Sequence, residues 1–363
     1  MKRRIWLIVG VLCLAVLAGC GAKEEGASAS VTESLKVDET PDIQYRVEGT
    51  TLILSGSGFM DLDKWYDEFG ESWEYEWSNQ KDVIEHVIVE GDLERVGMHA
   101  FEDFTKLKDV TLSDKVTTIG YSAFENCTAL ESIQFSQNLE AIEAFAFKDC
   151  SSLKEVVFPE SLEEIEQFAF AFCDALEQIR IPEGVTSVSK GAFGSCGGLK
   201  KVELAEGVCY IGSIAFAECY ELECIEIPVS VVDIGDGAFS SCTELESIAV
   251  PEGVTEVEDN LFANCSNLKQ VQLPEGIESI GANAFRGCAS LTEITIPETV
   301  TSIGDEAFVA CVGIECITVP KGVKEIGSDA FGFEWGSKCK IKCASGSYAE
   351  LYAKRRELEY EIE

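Results

Sequence analysis

Nine cysteines are the side chains with the clearest capacity for chemistry, because they recur at one spacing of 23 residues. Thiols could pair as disulfides, ligate a metal or act as nucleophiles. No two of the nine stand close enough in sequence to resemble a metal motif. The spacing predicts instead small, buried, apolar side chains in a tight turn, with occasional bridging between neighbours left open. The nine are Cys127, Cys150, Cys173, Cys196, Cys219, Cys242, Cys265, Cys288 and Cys311.

The other reactive side chains are few and scattered. The chain has two histidines, His86 and His99, and its sequence contains no phosphate-binding loop, zinc motif or nucleophile elbow. Cys339 and Cys343 are closer together, but their spacing without a histidine is weak evidence for zinc. A uniform period also leaves no inserted loop that could form the wall of an active site. These features predict that the chain is not an enzyme and uses no cofactor or metal.

The cysteines belong to a repeat that is marked by an Ala-Phe dipeptide. The dipeptide stands at eleven positions from Ala100-Phe101 to Ala330-Phe331, with Leu261-Phe262 as a variant. The unit reads L-x-x-I-x-I-P-x-x-V-x-x-I-G-x-x-A-F-x-x-C, and a fixed period of this length predicts a solenoid. Paired β-formers predict a short strand in each coil, ended by Pro, and one continuous parallel sheet along the stack. With strands roughly 4.8 Å apart, the rod is on the order of 50 Å long.

This unit resembles the BspA-type leucine-rich repeat, also called the Treponema pallidum type, over about residues 84–336. The resemblance implies a leucine-rich repeat solenoid of about eleven 23-residue coils. It also implies a surface adhesin or interaction protein, since members are associated with attachment to host matrix proteins and with contact between cells. The alternative is a cell-envelope scaffold that binds glycan or protein of its own cell. A lipid-anchored hydrolase is a third hypothesis, disfavoured because no site supports it.

The N-terminus has the pattern of an export signal. Lys2-Arg3-Arg4 precedes an apolar run from Ile5 to Gly19, which is short for a membrane span and typical of a signal peptide. The run ends in a sequence that looks like the bacterial lipoprotein cleavage box, in which Cys20 would be lipidated. An ordinary secretory signal is the alternative. We expect an exported protein that is lipid-anchored to the bacterial cell membrane, touches the membrane only through this anchor and is exposed at the cell surface.

The charge of the chain limits its partners. The formal net charge is −37, and it becomes −40 without residues 1–19, which hold three basic and no acidic side chains. Such a field repels polyanions and keeps a surface protein soluble. Nucleic acid is therefore excluded as a partner. Host matrix or other cell-surface proteins are the expected partners, and a glycan is the alternative.

Both ends of a stack of coils need caps, because terminal coils would expose apolar faces and an open sheet edge. Alternation of polar and apolar residues around Gly49-Thr50 predicts a hairpin in the first cap, and the stretch from Gly346 to about Arg356 predicts a helix in the second. We thus expect five segments: a signal peptide at 1–19, an anchor and tether at 20–40, an N-terminal cap at 41–83, the solenoid at 84–336 and a C-terminal cap at 337–363.

The outward positions of the predicted strands form one candidate surface. The two rows, twenty residues in all, hold five acids, two bases and no aromatic residue, which suits a broad protein contact better than sugar stacking. The alternative is a merely solvated β surface. The residues we single out here as partner-binding are Gln134, Val157, Gln178 and Arg180.

Aromatic residues form two further candidates. Phe145 and Phe168 replace the small or polar residue that usually precedes Ala-Phe, and Phe172 replaces a polar one. Together with Tyr121 they predict an exposed apolar patch for a partner, unless the core widens locally to bury the rings. The second candidate is an aromatic run interleaved with acids that contains Trp65 and Trp73. This run could hold a sugar or peptide, or else cover the open end of the first coil.

Overall fold

A computed structural model describes residues 42–60, 75–332 and 339–363. The signal peptide, Cys20, the tether, Trp65 and Trp73 lie outside these residues and stay predictions. The fold is the predicted one, a solenoid of 23-residue coils held by parallel strand pairs, with little helix. Among the described residues, no helix is both long and apolar enough to cross a bilayer.

A hairpin opens the described chain. Strands β1 (Asp42–Glu48) and β2 (Thr51–Phe59) pair antiparallel across the turn at Gly49. A 3-10 helix, Ser78–Gln80, leads to β3 (His86–Val89) and β4 (Asp92–Val96). The long strand β2 pairs in parallel with both β3 and β4, and each of these begins a separate ladder of strands. The hairpin therefore closes the end of the stack on two faces at once.

Two ladders run along the coils. The first ladder continues from β3 through β5 (Asp109–Thr111), β7 (Ser132–Gln134), β10 (Gln178–Ile181), β12 (Lys201–Leu204), β14 (Cys224–Glu226), β16 (Ser247–Ala249), β18 (Gln270–Gln272), β21 (Cys316–Val319), β23 (Lys340–Cys343) and β24 (Tyr360–Ile362). The second ladder continues from β4 through β6 (Thr118–Ile119), β8 (Ala141–Ile142), β9 (Glu164–Ile165), β11 (Ser187–Val188), β13 (Tyr210–Ile211), β15 (Asp233–Ile234), β17 (Glu256–Val257), β19 (Ser279–Ile280), β20 (Ser302–Ile303) and β22 (Glu325–Ile326).

The prediction of one continuous sheet was wrong. Beyond β7 the first ladder keeps a single bridge, Ser132 to Glu155, and pairing resumes between β10 and β12. The first ladder is interrupted again between β14 and β16 and between β18 and β21, and the second ladder between β9 and β11 and between β15 and β17. The inward residues of the two adjoining coils are Phe135 and Phe158, whose ring centroids lie 5.9 Å apart. These rings are thicker than the strand spacing of roughly 4.8 Å, but the ladder is also interrupted between β14 and β16, whose inward residues are aliphatic.

Phenylalanine rings fill the centre of the coils. The Ala-Phe phenylalanines from Phe101 to Phe331 stack with successive ring centroids 5.0–6.0 Å apart. Trp77 stacks on Phe101 at one end, and Tyr352 packs edge-on against Phe331 at the other. Aromatic residues of the two caps therefore cover both ends of the stack.

The nine cysteines are buried free thiols, as the sequence predicted. Each Sγ lies 3.0–3.3 Å from the carbonyl oxygen of the phenylalanine 26 residues earlier, in the coil before. Burial raises the pKa of thiols such as Cys242, Cys265 and Cys311, so these stay protonated and poorly nucleophilic.

The C-terminal segment contains the one helix of eight or more residues in the described chain. Helix α1 (Tyr348–Arg355) begins after Ser347, whose Oγ accepts a hydrogen bond from the Glu350 amide at 3.2 Å. Ala349, Tyr352 and Ala353 form its buried side. After the helix, β24 pairs with β23 and ends the first ladder.

Candidate functional site

Two positions in each coil have left-handed backbone, and they explain where the predicted aromatic patch lies. One position precedes Ala-Phe and the other follows its Phe by two residues, with φ near +60° in most coils. Left-handed backbone costs L-residues energy, and Gly, Asn and Asp tolerate it best. The first position holds Gly191, Gly237, Asn260 and Asn283 in four coils. Bulky apolar residues there oppose the local backbone preference.

Phe145, Phe168 and Phe172 all occupy these left-handed positions, at φ values of 61°, 56° and 62°. Phe145 and Phe168 stack with ring centroids 5.4 Å apart, and both are half-buried. Phe172 is 43% exposed. The rings are thus neither fully exposed nor absorbed into the core.

The stack extends in both directions along the solenoid. Tyr121 packs edge-on against Phe145 at 5.4 Å, and His99 packs against Tyr121 at 5.3 Å. Phe168 lies against Gly191, where a Cβ atom would come within 2.3 Å of its ring. We call His99, Tyr121, Phe145 and Phe168 the aromatic row. Glycine at 191 gives the last ring of this row its space.

A groove opens on the first ladder where the strand pairing is interrupted. It encloses about 300 Å³ between the coil of Glu155–Phe158 and strands β10 and β12. Val157 is 71% exposed at this groove, while Phe158 and Ile179 are buried beneath it. The predicted residues Val157, Gln178 and Arg180 meet in its lining, whereas Gln134 lies on β7 outside it.

Four of the five charged residues that line the groove are paired with one another. Arg180 donates to Glu160 at 2.7 Å, and Lys201 donates to Glu203. These four side chains are more than half exposed, so the pairs add little to stability. They make the walls polar, while the floor is apolar. A partner side chain that enters the groove would meet both kinds of surface.

Sequence reasoning overlooked three exposed apolar side chains. Ile214 occupies the left-handed position before Ala-Phe with φ 52° and is 36% exposed. Tyr220 is 47% exposed, and Val229 is 79% exposed. Val229 could have been found by aligning the coils, because other coils have Glu183, Glu206 and Glu252 at its register.

Each histidine is paired with a carboxylate. His86 Nδ1 lies 2.6 Å from Asp109 Oδ2, and His99 Nδ1 lies 2.7 Å from Glu102 Oε2. The two pairs belong to different parts of the first coils. Within 42–60, 75–332 and 339–363, no group of three or more His, Cys, Asp or Glu side chains could hold a metal ion.

Comparison with known families gives one match. A model described as BspA type leucine rich repeat region matches six copies across residues 74–200, 164–286 and 255–342. No curated protein matches the chain.

Several solved structures of bacterial leucine-rich repeat proteins are similar. A protein from Bacteroides ovatus is 25% identical, with 90% of this chain and 99% of that chain covered and a TM-score of 0.41. One from Eubacterium ventriosum is 23% identical, with 82% and 93% covered and a TM-score of 0.49. A leucine rich cell surface protein from Faecalibacterium prausnitzii is 24% identical, with 87% and 97% covered and a TM-score of 0.42.

Proposed function

Because this chain belongs to the BspA-type leucine-rich repeat family, we propose that it is a non-enzymatic interaction protein of the cell surface. In this proposal it acts as an adhesin that binds host or neighbouring-cell proteins through an extended face of the solenoid. Repeat proteins commonly use such faces to hold other macromolecules. The uniform coils form a rigid support for residues that depart from the repeat.

The observation that carries the proposal is the aromatic row. Phe145 and Phe168 occupy left-handed positions that favour Gly or Asn, and they leave part of their rings on the surface of a chain with net charge −37. Stability alone would favour a small or polar residue there. Partly exposed apolar residues on a charged surface often mark contacts with another protein. The groove on the first ladder, which Val157 lines, lies in the same stretch of coils and is a second candidate contact.

The proposed location rests on the N-terminal sequence. A basic start, an apolar run and the cleavage-box pattern before Cys20 support export and lipidation. Two acyl chains would anchor the protein stably, whereas one is marginal. Globomycin treatment of expressing cells tests this step, since it should leave the signal peptide uncleaved. Normal processing despite the inhibitor would contradict lipidation.

The partner class is tested by capture of the purified protein on host matrix proteins, glycans and envelope fractions of its own source. Protease treatment of a captured surface should abolish binding, and periodate oxidation of its sugars should not. Specific capture by a host protein supports the adhesin. Capture only by envelope material of its own cell, or loss on periodate treatment, would favour the envelope scaffold instead.

A further inference from the structure

Four exposed side chains stand around a small-residue stretch in the middle of the solenoid. Phe172 and Asp174 belong to one coil, and Glu218 and Tyr220 belong to the coil two positions further along. The coil between them contributes Ser195 and Gly197 at the same registers. We call this constellation the notch. The middle coil contributes Gly197 and Gly198 next to Asp174, so small residues form the floor of the notch.

Aromatic and acidic side chains alternate around the notch. Phe172, Ser195 and Glu218 follow each other in one register, and Asp174, Gly197 and Tyr220 follow each other two residues later. Successive core rings in these coils are 5.4 Å and 5.8 Å apart, so the outer coils are separated by about 11 Å. Each acid therefore has an aromatic residue two positions away in its own coil and another at its own register across the notch.

Side chains of the two outer coils approach each other over the middle coil. A Cβ atom at Gly197 would lie 3.4 Å from Asp174 Oδ1 and 3.5 Å from the Tyr220 ring, so both side chains reach over this glycine. Ser195 Oγ donates to Glu218 Oε2 at 3.0 Å. A larger residue at 197 would separate Asp174 from Tyr220.

The notch is negatively charged. Among the described residues, no salt bridge joins Asp174 or Glu218 to a basic side chain, and Lys200 of the middle coil pairs with Glu177 and Glu221 beside the notch. Burial and the nearby carboxylates of Glu218 and Asp174 raise the pKa of the Tyr220 hydroxyl, which agrees with this negative field. Two carboxylates beside two exposed aromatic rings form a complementary environment for a cation.

We propose that the notch receives an arginine side chain of a protein partner. A guanidinium group is planar, stacks on aromatic rings and donates to carboxylates in two directions, which matches alternating rings and acids. An ammonium group would use the charge but less of the aromatic surface. The proposal rests on the interaction role above and names the chemistry of one contact.

The repeat offers substitutions that should not disturb folding. Asn126 and Asn264 stand at the register of Phe172, and Thr243 stands at the register of Tyr220. The variant Phe172→Asn/Tyr220→Thr thus removes the rings with residues that the fold already accepts. Asp174→Asn/Glu218→Gln removes the charges. The matched control, Glu206→Gln/Glu252→Gln, removes two exposed charges elsewhere on the solenoid.

Fluorescence anisotropy with a fluorescein-labelled peptide of alternating Gly and Arg tests the proposal, beside the same peptide with citrulline in place of Arg. We expect each notch variant to weaken the dissociation constant about fivefold or more, and the control to change it less than about twofold. The citrulline peptide should not bind. Equal weakening by the control would show diffuse charge attraction, and unchanged binding in the notch variants would equally overturn the proposal.

The same variants separate this inference from the proposed function. Capture of a protein partner that survives both notch substitutions would overturn the notch and leave the interaction role intact. Arginine-dependent peptide binding at the notch without capture of any protein would support the notch and count against the interaction role.

Discussion

The Sγ atom of Cys127 lies 3.1 Å from the carbonyl oxygen of Phe101, although 26 residues separate them. The same contact recurs in every coil that carries the repeat cysteine, so each thiol joins its own coil to the coil before. A thiol suits this position because it is small, apolar and a weak donor. The nine repeat cysteines therefore have a structural role, which explains their regular spacing without catalysis or disulfide bonds.

The first prediction concerns one of these buried cysteines. Cys242→Ala removes the Sγ contact to the Phe216 carbonyl at 3.2 Å and leaves a small void in a packed core. We expect a loss of about 1 to 2 kcal/mol in the free energy of unfolding, measured by urea denaturation. The control, Cys224→Ala at an exposed position, should change it by less than about 0.5 kcal/mol. Equal effects of the two substitutions would contradict a stabilising role for the buried thiol contact.

The second prediction concerns alkaline pH. Burial raises the pKa of Cys265 and Cys311 from an ordinary value of 9.0 to about 12. The folded protein thus holds these protons more tightly than the unfolded chain does. Their contribution to stability is complete below pH 9 and is lost as the pH rises toward 12.

Urea denaturation at increasing pH measures this loss. The free energy of unfolding should fall as the pH rises above 9, the ordinary thiol pKa. The variant Cys265→Ala/Cys311→Ala should fall less steeply, since two of the titrating thiols are absent. Parallel slopes for the two proteins would exclude the thiols as the cause.

Much of the fold could be predicted from the sequence because the repeat is local and strictly periodic. Most strand positions of the first ladder, the buried cysteines and the inward phenylalanines follow from one 23-residue pattern, whereas the expected strand around Ile294 is absent and the second ladder was not predicted. The interruptions of the two ladders do not follow from it, because strand pairing depends on the exact spacing between neighbouring coils, which a uniform pattern does not specify. The contact of Tyr220 over Gly197 with Asp174 also escaped prediction, since it joins three coils.

The third prediction is a pair of exchanged residues at left-handed positions. Ile214 and Asn260 occupy the same register with φ values of 52° and 58°. Asn tolerates this backbone and a β-branched residue does not. Ile214→Asn should keep or raise the free energy of unfolding, and Asn260→Ile should lower it by about 1 kcal/mol.

Thermal and urea unfolding of both variants test the exchange. Opposite changes would identify backbone preference as the cause. A marked loss of stability in Ile214→Asn would mean that the isoleucine stabilises the fold by packing. Packing could then also explain why Phe145 and Phe168 occupy left-handed positions.

The most direct test of the central claim is capture of the wild-type protein and of Phe145→Ser/Phe168→Ser on one array of matrix proteins, glycans and envelope fractions. Serine occurs at this register at Ser122, so the variant should fold. The control Asn260→Ser/Asn283→Ser changes the same register elsewhere. We predict that a host or neighbouring-cell protein captures the wild type and the control. The same protein should not capture Phe145→Ser/Phe168→Ser. Equal capture of the variant would contradict a binding role for the aromatic row.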